Sequence, residues 1–139
     1  MSTMDRPMRT APPPQLRIAR PSRDLRAATE FYTRALGLEV IGSFEDHGGF
    51  DGVMLGHVGW PFHLELTQRR GAPITPLSTD EDLLVFYLPD PGEWNAAVQR
   101  VRDAGAREVE SSNPYWAVRG ATFLDADGYR FVLENAAWP

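Results

Sequence analysis

His63 and Glu65 are the two side chains whose types and spacing best suit chemistry. They lie in the run 62–67, Phe-His-Leu-Glu-Leu-Thr, which alternates apolar and polar residues. In a strand they therefore share one face, while Leu64 and Leu66 share the other. An imidazole beside a carboxylate can act as an acid and base near neutral pH, or can bind a metal. The same pattern also fits a half-exposed histidine and a glutamate in an ordinary salt bridge.

Two further groups of charged residues fall on faces that could meet this one. Arg17 lies on the first predicted strand, and Arg130 and Glu134 flank Val132 on the last. Because a buried carboxylate needs a partner, we expect Arg17 to pair with Glu65. Arginines and glutamates together suit a small polar ligand, such as a carboxylate held by a guanidinium fork. They equally suit an internal network of salt bridges.

Aromatic residues could wall such a site. Tyr87 is predicted to lie on the same face of its strand as Val85, and Tyr115 and Trp116 belong to a long loop, 111–120. Aromatic side chains on a loop favour a pocket lid or, alternatively, a contact between two chains. The remaining aromatics at helix or strand spacing are predicted to be core residues: Phe31, Tyr32, Phe86, Trp94 and Phe131.

The elements that must position these side chains repeat along the chain. In the first half, a strand from Leu16 ends near Pro21, a helix with Ser22 as its predicted N-cap ends at Gly37, and three strands follow, with a turn over 46–49. The second half repeats the order of strand, helix and strands, with its final hairpin turn over 125–128. We therefore predict an α+β fold of two tandem βαβββ modules.

The predicted boundaries follow from composition. Residues 1–15 carry Pro7 and three consecutive prolines but few large apolar side chains, and are predicted to form a flexible tail. The modules span about 16–68 and 83–137, and the breaker-rich stretch 69–82 is predicted to link them.

Composition also restricts the partners. The net charge of -5 and the scattered basic residues predict no nucleic-acid partner. No stretch is apolar and long enough to span a membrane, and the chain contains no cysteine, which excludes disulfides and thiolate metal sites. A cytoplasmic location is expected.

Two segments resemble a known family. The first, 23–25, Arg-Asp-Leu, followed by Phe31-Tyr32 and by 35–38, Ala-Leu-Gly-Leu, is similar to the opening of a vicinal oxygen chelate module. The second, 123–129, Phe-Leu-Asp-Ala-Asp-Gly-Tyr, is similar to its closing hairpin. This superfamily includes glyoxalases, ring-cleaving dioxygenases and bleomycin- and fosfomycin-resistance proteins. The resemblance implies a cupped mixed sheet with helices on its convex face, a ligand on its concave face and, often, a homodimer.

The resemblance also implies where a divalent metal would bind. The ligand positions on the first, fourth, fifth and last strands correspond here to Arg17, Glu65, Leu83 and Val132. An arginine does not lose its proton, and Leu83 and Val132 have no donor atoms. A register shift of two would bring His63, and Arg130 or Glu134, onto the same face. We therefore expect no metal and no other cofactor.

Three functions remain open at this point. The first is metal-free binding of a small molecule, similar to drug sequestration by bleomycin-resistance proteins. The expected ligand-binding residues are Arg17, His63, Glu65, Tyr87, Tyr115, Trp116, Arg130 and Glu134. The second is a glyoxalase- or dioxygenase-like enzyme, a lyase or isomerase, that uses a displaced metal or His63 and Glu65 as acid and base. The third is a structural or regulatory dimer with a vestigial pocket.

Overall fold

The two halves of the chain form the same succession of elements. The computed structural model describes Ala11, residues 14–72 and residues 75–138. The first half comprises β1 (Leu16–Pro21), α1 (Leu25–Leu36), β2 (Glu39–His47), β3 (Phe50–Gly56) and β4 (Phe62–Arg69). The second half comprises β5 (Leu83–Tyr87), α2 (Pro91–Asp103), β6 (Arg107–Val109), α3 (Tyr115–Val118), β7 (Gly120–Leu124) and β8 (Arg130–Glu134).

Each half builds one four-stranded sheet with the same topology. The strand orders are β1-β4-β3-β2 and β5-β8-β7-β6. In each sheet the first and last strands of the module pair in parallel, and the other neighbours are antiparallel. The α+β fold of two tandem modules predicted from the sequence is confirmed.

The helix ends show which local signals the sequence carries. Asp24, not the predicted Ser22, caps α1, because its carboxylate accepts a hydrogen bond from the backbone N–H of Ala27. The Ser22 hydroxyl instead accepts a bond from the Asp24 N–H before the helix begins. Gly37 ends α1 at a φ of 65°, in the left-handed region that favours glycine. At α2, Asp90 accepts from the N–H of Glu93.

Two predicted loops differ from the structure. Strand β2 continues through His47, so the turn expected over 46–49 is confined to its two glycines, both at positive φ. The 111–120 loop contains the single helical turn α3, and Asn113, two residues before it, accepts a hydrogen bond from the Tyr115 N–H. Asparagine and proline ahead of an aromatic pair favour such a local turn. The predicted tail lies outside the described residues except at Ala11, Pro14 and Gln15.

Both modules contribute to one apolar core. The buried side chains of α1 and α2 pack together with those of the apolar sheet faces, including Leu64, Leu66, Phe123 and Leu133. Phe131 is fully buried at the centre, with its ring 5.9 Å from Phe31 of the other module. Of the predicted core aromatics, Phe31, Tyr32 and Phe131 are buried, and Phe86 and Trp94 are partly buried.

Hydrogen bonds also join the hairpin between β7 and β8 to the first module. The buried Tyr32 hydroxyl donates to Asp125. The carboxylate of Asp125 also accepts the backbone N–H groups of Asp127 and Tyr129, at 2.8 and 2.9 Å. Asp127 in turn accepts the Arg23 N–H at 2.8 Å. The turn carboxylates thus hold the hairpin in shape and attach it to the start of α1.

The segment between the modules is tied to both of them. Asp82 lies 3.6 Å from the Arg20 guanidinium, and the Ser78 hydroxyl donates to the Gly128 carbonyl. No helix within 14–72 and 75–138 is both long and apolar enough to cross a membrane.

Candidate functional site

The polar face of the first sheet carries a cluster of Arg17, His63 and Glu65. In the parallel pair of β1 and β4, Arg17 lies opposite His63 and Ala19 opposite Glu65. The alternation of β4 turns Leu64 into the shared core and the three cluster residues to the other side of the sheet. The pleat therefore brings these side chains together without any loop.

Arg17 binds both of its neighbours. Its Nε–H donates to His63 Nε2 at 2.9 Å, and its Nη1–H donates to Glu65 Oε2 at 3.0 Å. Because Nε2 accepts this bond, the neutral His63 ring carries its proton on Nδ1. The Arg17 side chain remains 48% exposed and that of Glu65 13% exposed. The guanidinium thus fixes the orientation of both side chains and keeps one edge open to a ligand.

These residues do not fit a catalytic metal. Arg17 holds a positive charge where a ligand would have to donate electrons, and it already occupies His63 Nε2 and Glu65 Oε2. Leu83 and Val132 offer no donor atom. In the part of the chain that the structure describes, no group of three or more histidine, aspartate or glutamate side chains is placed to hold a metal ion.

Arg130 and Glu134 of the second sheet do not join the internal salt-bridge network that was one alternative from the sequence. Arg130 pairs with Asp80 at 3.1 Å and donates to the Glu110 carbonyl at 3.1 Å. Glu134 shares a sheet face with Arg130 but binds neither arginine of the expected set. The extended β-strand spacing separates Arg130 and Glu134 by two pleats, so Asp80 is the nearer carboxylate.

Glu134 is instead buried in a recess of its own. It is 3% exposed, and its Oε1 has no hydrogen-bond partner among the described residues. Burial raises the pKa of Glu134, and the positive charge of Arg119 lowers it in part. The residue lines a cavity of about 290 Å³ together with Tyr115, Val118, Arg119, Ala136 and Ala137.

Gly120 makes room for this carboxylate. It lies opposite Glu134 in the ladder of β7 and β8, where a Cβ atom would collide with Glu134 Oε1 and lie 2.6 Å from the Trp116 carbonyl oxygen. Sequence reasoning missed Gly120, Arg119 and the two alanines. Only the cross-strand pairing of a glycine with a glutamate could have indicated them, and that requires the register.

The predicted aromatic residues divide between two places. Tyr115 lines the Glu134 cavity, is 64% exposed, and meets Trp116 edge to face at 4.9 Å. Tyr87 lies opposite Glu134 in β5 but lines a different cavity, of about 420 Å³. There its neighbours include Trp60 and Phe62, whose rings stack with their centroids 5.0 Å apart. The sequence predicted a turn for Trp60 and a strand for Phe62, and assigned neither to a cavity.

The fold and the remnant of its polar face define the class of protein. Two sheets of tandem βαβββ topology place the chain in the vicinal oxygen chelate superfamily, although Arg17, Leu83 and Val132 stand at the positions implied for its metal ligands. Within that superfamily the chain belongs to the YycE-like family: residues 16–67 match the YycE-like N-terminal domain and residues 81–135 the YycE-like C-terminal domain.

Individual relatives agree with this assignment. The chain is 43% identical over 122 residues to the uncharacterized protein YycE of Bacillus subtilis, covering 88% of each. It superposes on a crystal structure of a YycE protein of unknown function from the same organism with a TM-score of 0.84, at 42% identity, covering 90% of this chain and 91% of the other.

More distant structures share the fold alone. The trypanothione-dependent glyoxalase I of Leishmania major has a TM-score of 0.70 at 22% identity, with 90% of this chain and 88% of that chain covered. TnmS3, an antibiotic binding protein from Streptomyces sp. CB03234, has a TM-score of 0.64 at 22% identity, with 91% and 98% covered.

Proposed function

We propose that this protein binds a small molecule on the polar faces of its sheets without a metal ion. The observation that carries the proposal is the single guanidinium of Arg17, which bonds both His63 and Glu65. A positive charge fixed between these two side chains repels a divalent cation and takes up the lone pairs that would hold it. His63 Nε2 is also no longer free to act as a base, which weakens the acid–base alternative.

The same guanidinium supplies a binding group. Arg17 has five N–H donors and uses two of them on His63 and Glu65. The remaining donors lie on the exposed part of a side chain that its partners hold in position. A planar acceptor on the ligand, such as a carboxylate, would take up these donors at little cost in side-chain entropy.

A homodimer forms part of the proposal. Both sheets direct their apolar faces to the shared core, so the polar face of the first sheet lies on the side away from α1 and α2, where Arg17 is 48% exposed. A second copy could bring the polar face of its second sheet opposite Arg17 and enclose a ligand between them. The cytoplasmic location expected from the sequence belongs with the same proposal, since a chain without cysteine requires no oxidising compartment.

The metal-free character is tested by calorimetric titration with Zn²⁺ and Ni²⁺. We expect no stoichiometric binding to the unaltered protein. Arg17→His should bind Zn²⁺ at least about tenfold more tightly, because it adds an imidazole and frees the other two donors. Arg17→Gln is the matched control, since it removes the charge without adding a strong ligand. Tight stoichiometric binding by the unaltered protein would refute the proposal.

Binding itself is tested by a thermal-shift screen over aromatic carboxylates, amines, 2-oxo acids and glycopeptide antibiotics. A compound that binds only the folded chain raises the free energy of unfolding by about 2.7 kcal/mol when its concentration is 100 times its dissociation constant. We expect at least one class to raise the melting temperature, and Arg17→Gln to reduce the shift for carboxylates. A screen without shifts would favour the structural dimer with a vestigial pocket. Sedimentation at several protein concentrations tests the dimer separately.

A further inference from the structure

Glu134 carries a buried carboxyl oxygen that has no hydrogen-bond partner among the described residues. Its side chain is 3% exposed, its Oε1 lies out of reach of water, and no described residue donates a hydrogen bond to that atom. Arg119 lines the same cavity, but it forms no ion pair with Glu134 within the described residues. A carboxylate left in this condition costs stability, so the arrangement calls for an external donor.

The atoms around the carboxylate are acceptors. The bare Cα of Gly120 lets Glu134 Oε1 approach the region of the Trp116 carbonyl oxygen, which a Cβ at this position would meet at 2.6 Å. The Leu133 carbonyl lies in the same space and is already bonded by the Trp94 indole N–H at 2.9 Å. Glu134 Oε1 therefore lies among acceptor atoms and has no donor among the described residues, which favours a ligand that brings N–H groups.

The rest of the cavity is mostly apolar. Val118, Ala136 and Ala137 present hydrocarbon, and Tyr115 adds an exposed ring at the mouth. At about 290 Å³ the cavity has room for a compact organic group and is larger than a single metal ion requires. A hydrocarbon or aromatic body attached to a cationic head would satisfy both the walls and the carboxylate.

We propose that this recess binds the ammonium group of a small organic amine, with Glu134 as its counter-ion and Tyr115 beside its apolar body. This inference rests on the proposed function and extends it to a second group on the ligand side: the Arg17 cluster suits an acceptor such as a carboxylate, and this recess suits an ammonium group. The ammonium donates to the Glu134 carboxylate from within this cavity, which neutralises the buried charge. Arg119, which lines the same cavity, then competes with the ammonium group for Glu134.

The test uses 2-phenylethylamine as the probe, with 2-phenylethanol and 3-phenylpropionate as neutral and anionic analogues of similar size. Calorimetry, together with the indole signals of the four tryptophans in an NMR spectrum, measures binding to the full chain. We expect the amine to bind at least about tenfold more tightly than either analogue. Glu134→Gln, which keeps the shape, should weaken the amine by at least about tenfold, and Arg119→Gln should preserve or strengthen it.

The melting temperature of the ligand-free protein is a second readout, and in Glu134→Gln it should rise while the affinity for the amine falls. Without ligand, Glu134→Gln should raise the melting temperature by about 3 °C, because it removes an unpaired buried charge. A fall in melting temperature in both Glu134→Gln and Arg119→Gln would show that the two residues are each other's partners and would overturn the inference. Equal amine affinity in Glu134→Gln would do the same.

The outcomes also separate this inference from the proposed function. If 3-phenylpropionate or the alcohol binds and the amine does not, the protein is a small-molecule binder without a cation site, and only the inference fails. If none of the three probes binds and the wider screen is also flat, both fail.

Discussion

Asp125→Ala is expected to lower the free energy of unfolding by about 3 kcal/mol, although Asp125 lies in a hairpin turn. Its carboxylate accepts hydrogen bonds from the Tyr32 hydroxyl and from the N–H groups of Asp127 and Tyr129. Alanine leaves three donors without an acceptor at a site that is 8% exposed. Urea denaturation at neutral pH measures the change.

Asp125→Asn is the matched control and should cost much less. The amide oxygen can keep the two turn N–H groups, and the amide N–H can donate to Tyr32. Burial raises the pKa of Asp125, although the Tyr32 hydroxyl and the two backbone N–H groups lower it. A loss in Asp125→Asn as large as in Asp125→Ala would contradict this account, since the charge itself would then be essential.

The pKa shift fixes the sign of a pH dependence. Above pH 3.8 the carboxyl of the unfolded chain ionises first, because its pKa is the lower of the two. The folded protein then binds more protons than the unfolded chain, so the stability that Asp125 contributes, relative to Asp125→Asn, falls as pH rises through this window. It becomes constant once the folded carboxyl has also ionised. Urea titrations of both proteins from pH 3.5 to neutrality, the range suggested by reference carboxyl pKa values of roughly 4, measure the difference.

Phe131→Ala is expected to destabilise the protein by about 3–5 kcal/mol. The ring is fully buried and lies within 6.4 Å of Phe31, Phe86 and Phe123, measured between ring centroids, so alanine leaves a cavity where the two modules meet. Phe131→Leu refills most of this volume and should cost less than half as much.

Because the core is shared, loss of Phe131 should weaken both modules together. We expect the variant to unfold in a single transition, seen at the same denaturant concentration by tryptophan fluorescence and by circular dichroism. Two separated transitions would show that each module has a core of its own, and would contradict the packing described here.

Residues close together in the chain were predictable, and residues brought together by register were not. The alternation of β4 predicted which face His63 and Glu65 share, and Gly37 predicted the end of α1, because these depend on local geometry. The Glu134 recess depends on Gly120 lying opposite Glu134, which only the strand register decides.

In the Arg17 cluster, one contact was predictable from the sequence and the other depended on the strand register. The expected approach of Arg17 to Glu65 followed from the face that each side chain occupies. The additional bond to His63 required knowledge that β1 and β4 pair in parallel with Arg17 directly opposite His63. Tyr87 lines a separate cavity because the end of β5 borders the other module, which no pattern within β5 reveals.

The parallel pairing of the first and last strands in each module has a consequence for how the chain folds. Arg17 and Glu65 are 48 residues apart, and Tyr32 and Asp125 are 93 apart. Neither sheet can be completed from hairpins alone, since its edge strand waits for the strand made last. For such non-local pairings, the chain loses the entropy of loop closure before the contacts between the strands stabilise it. During synthesis, strand β1 therefore stays without its neighbour until β4 leaves the ribosome, and its apolar face must be protected in that interval.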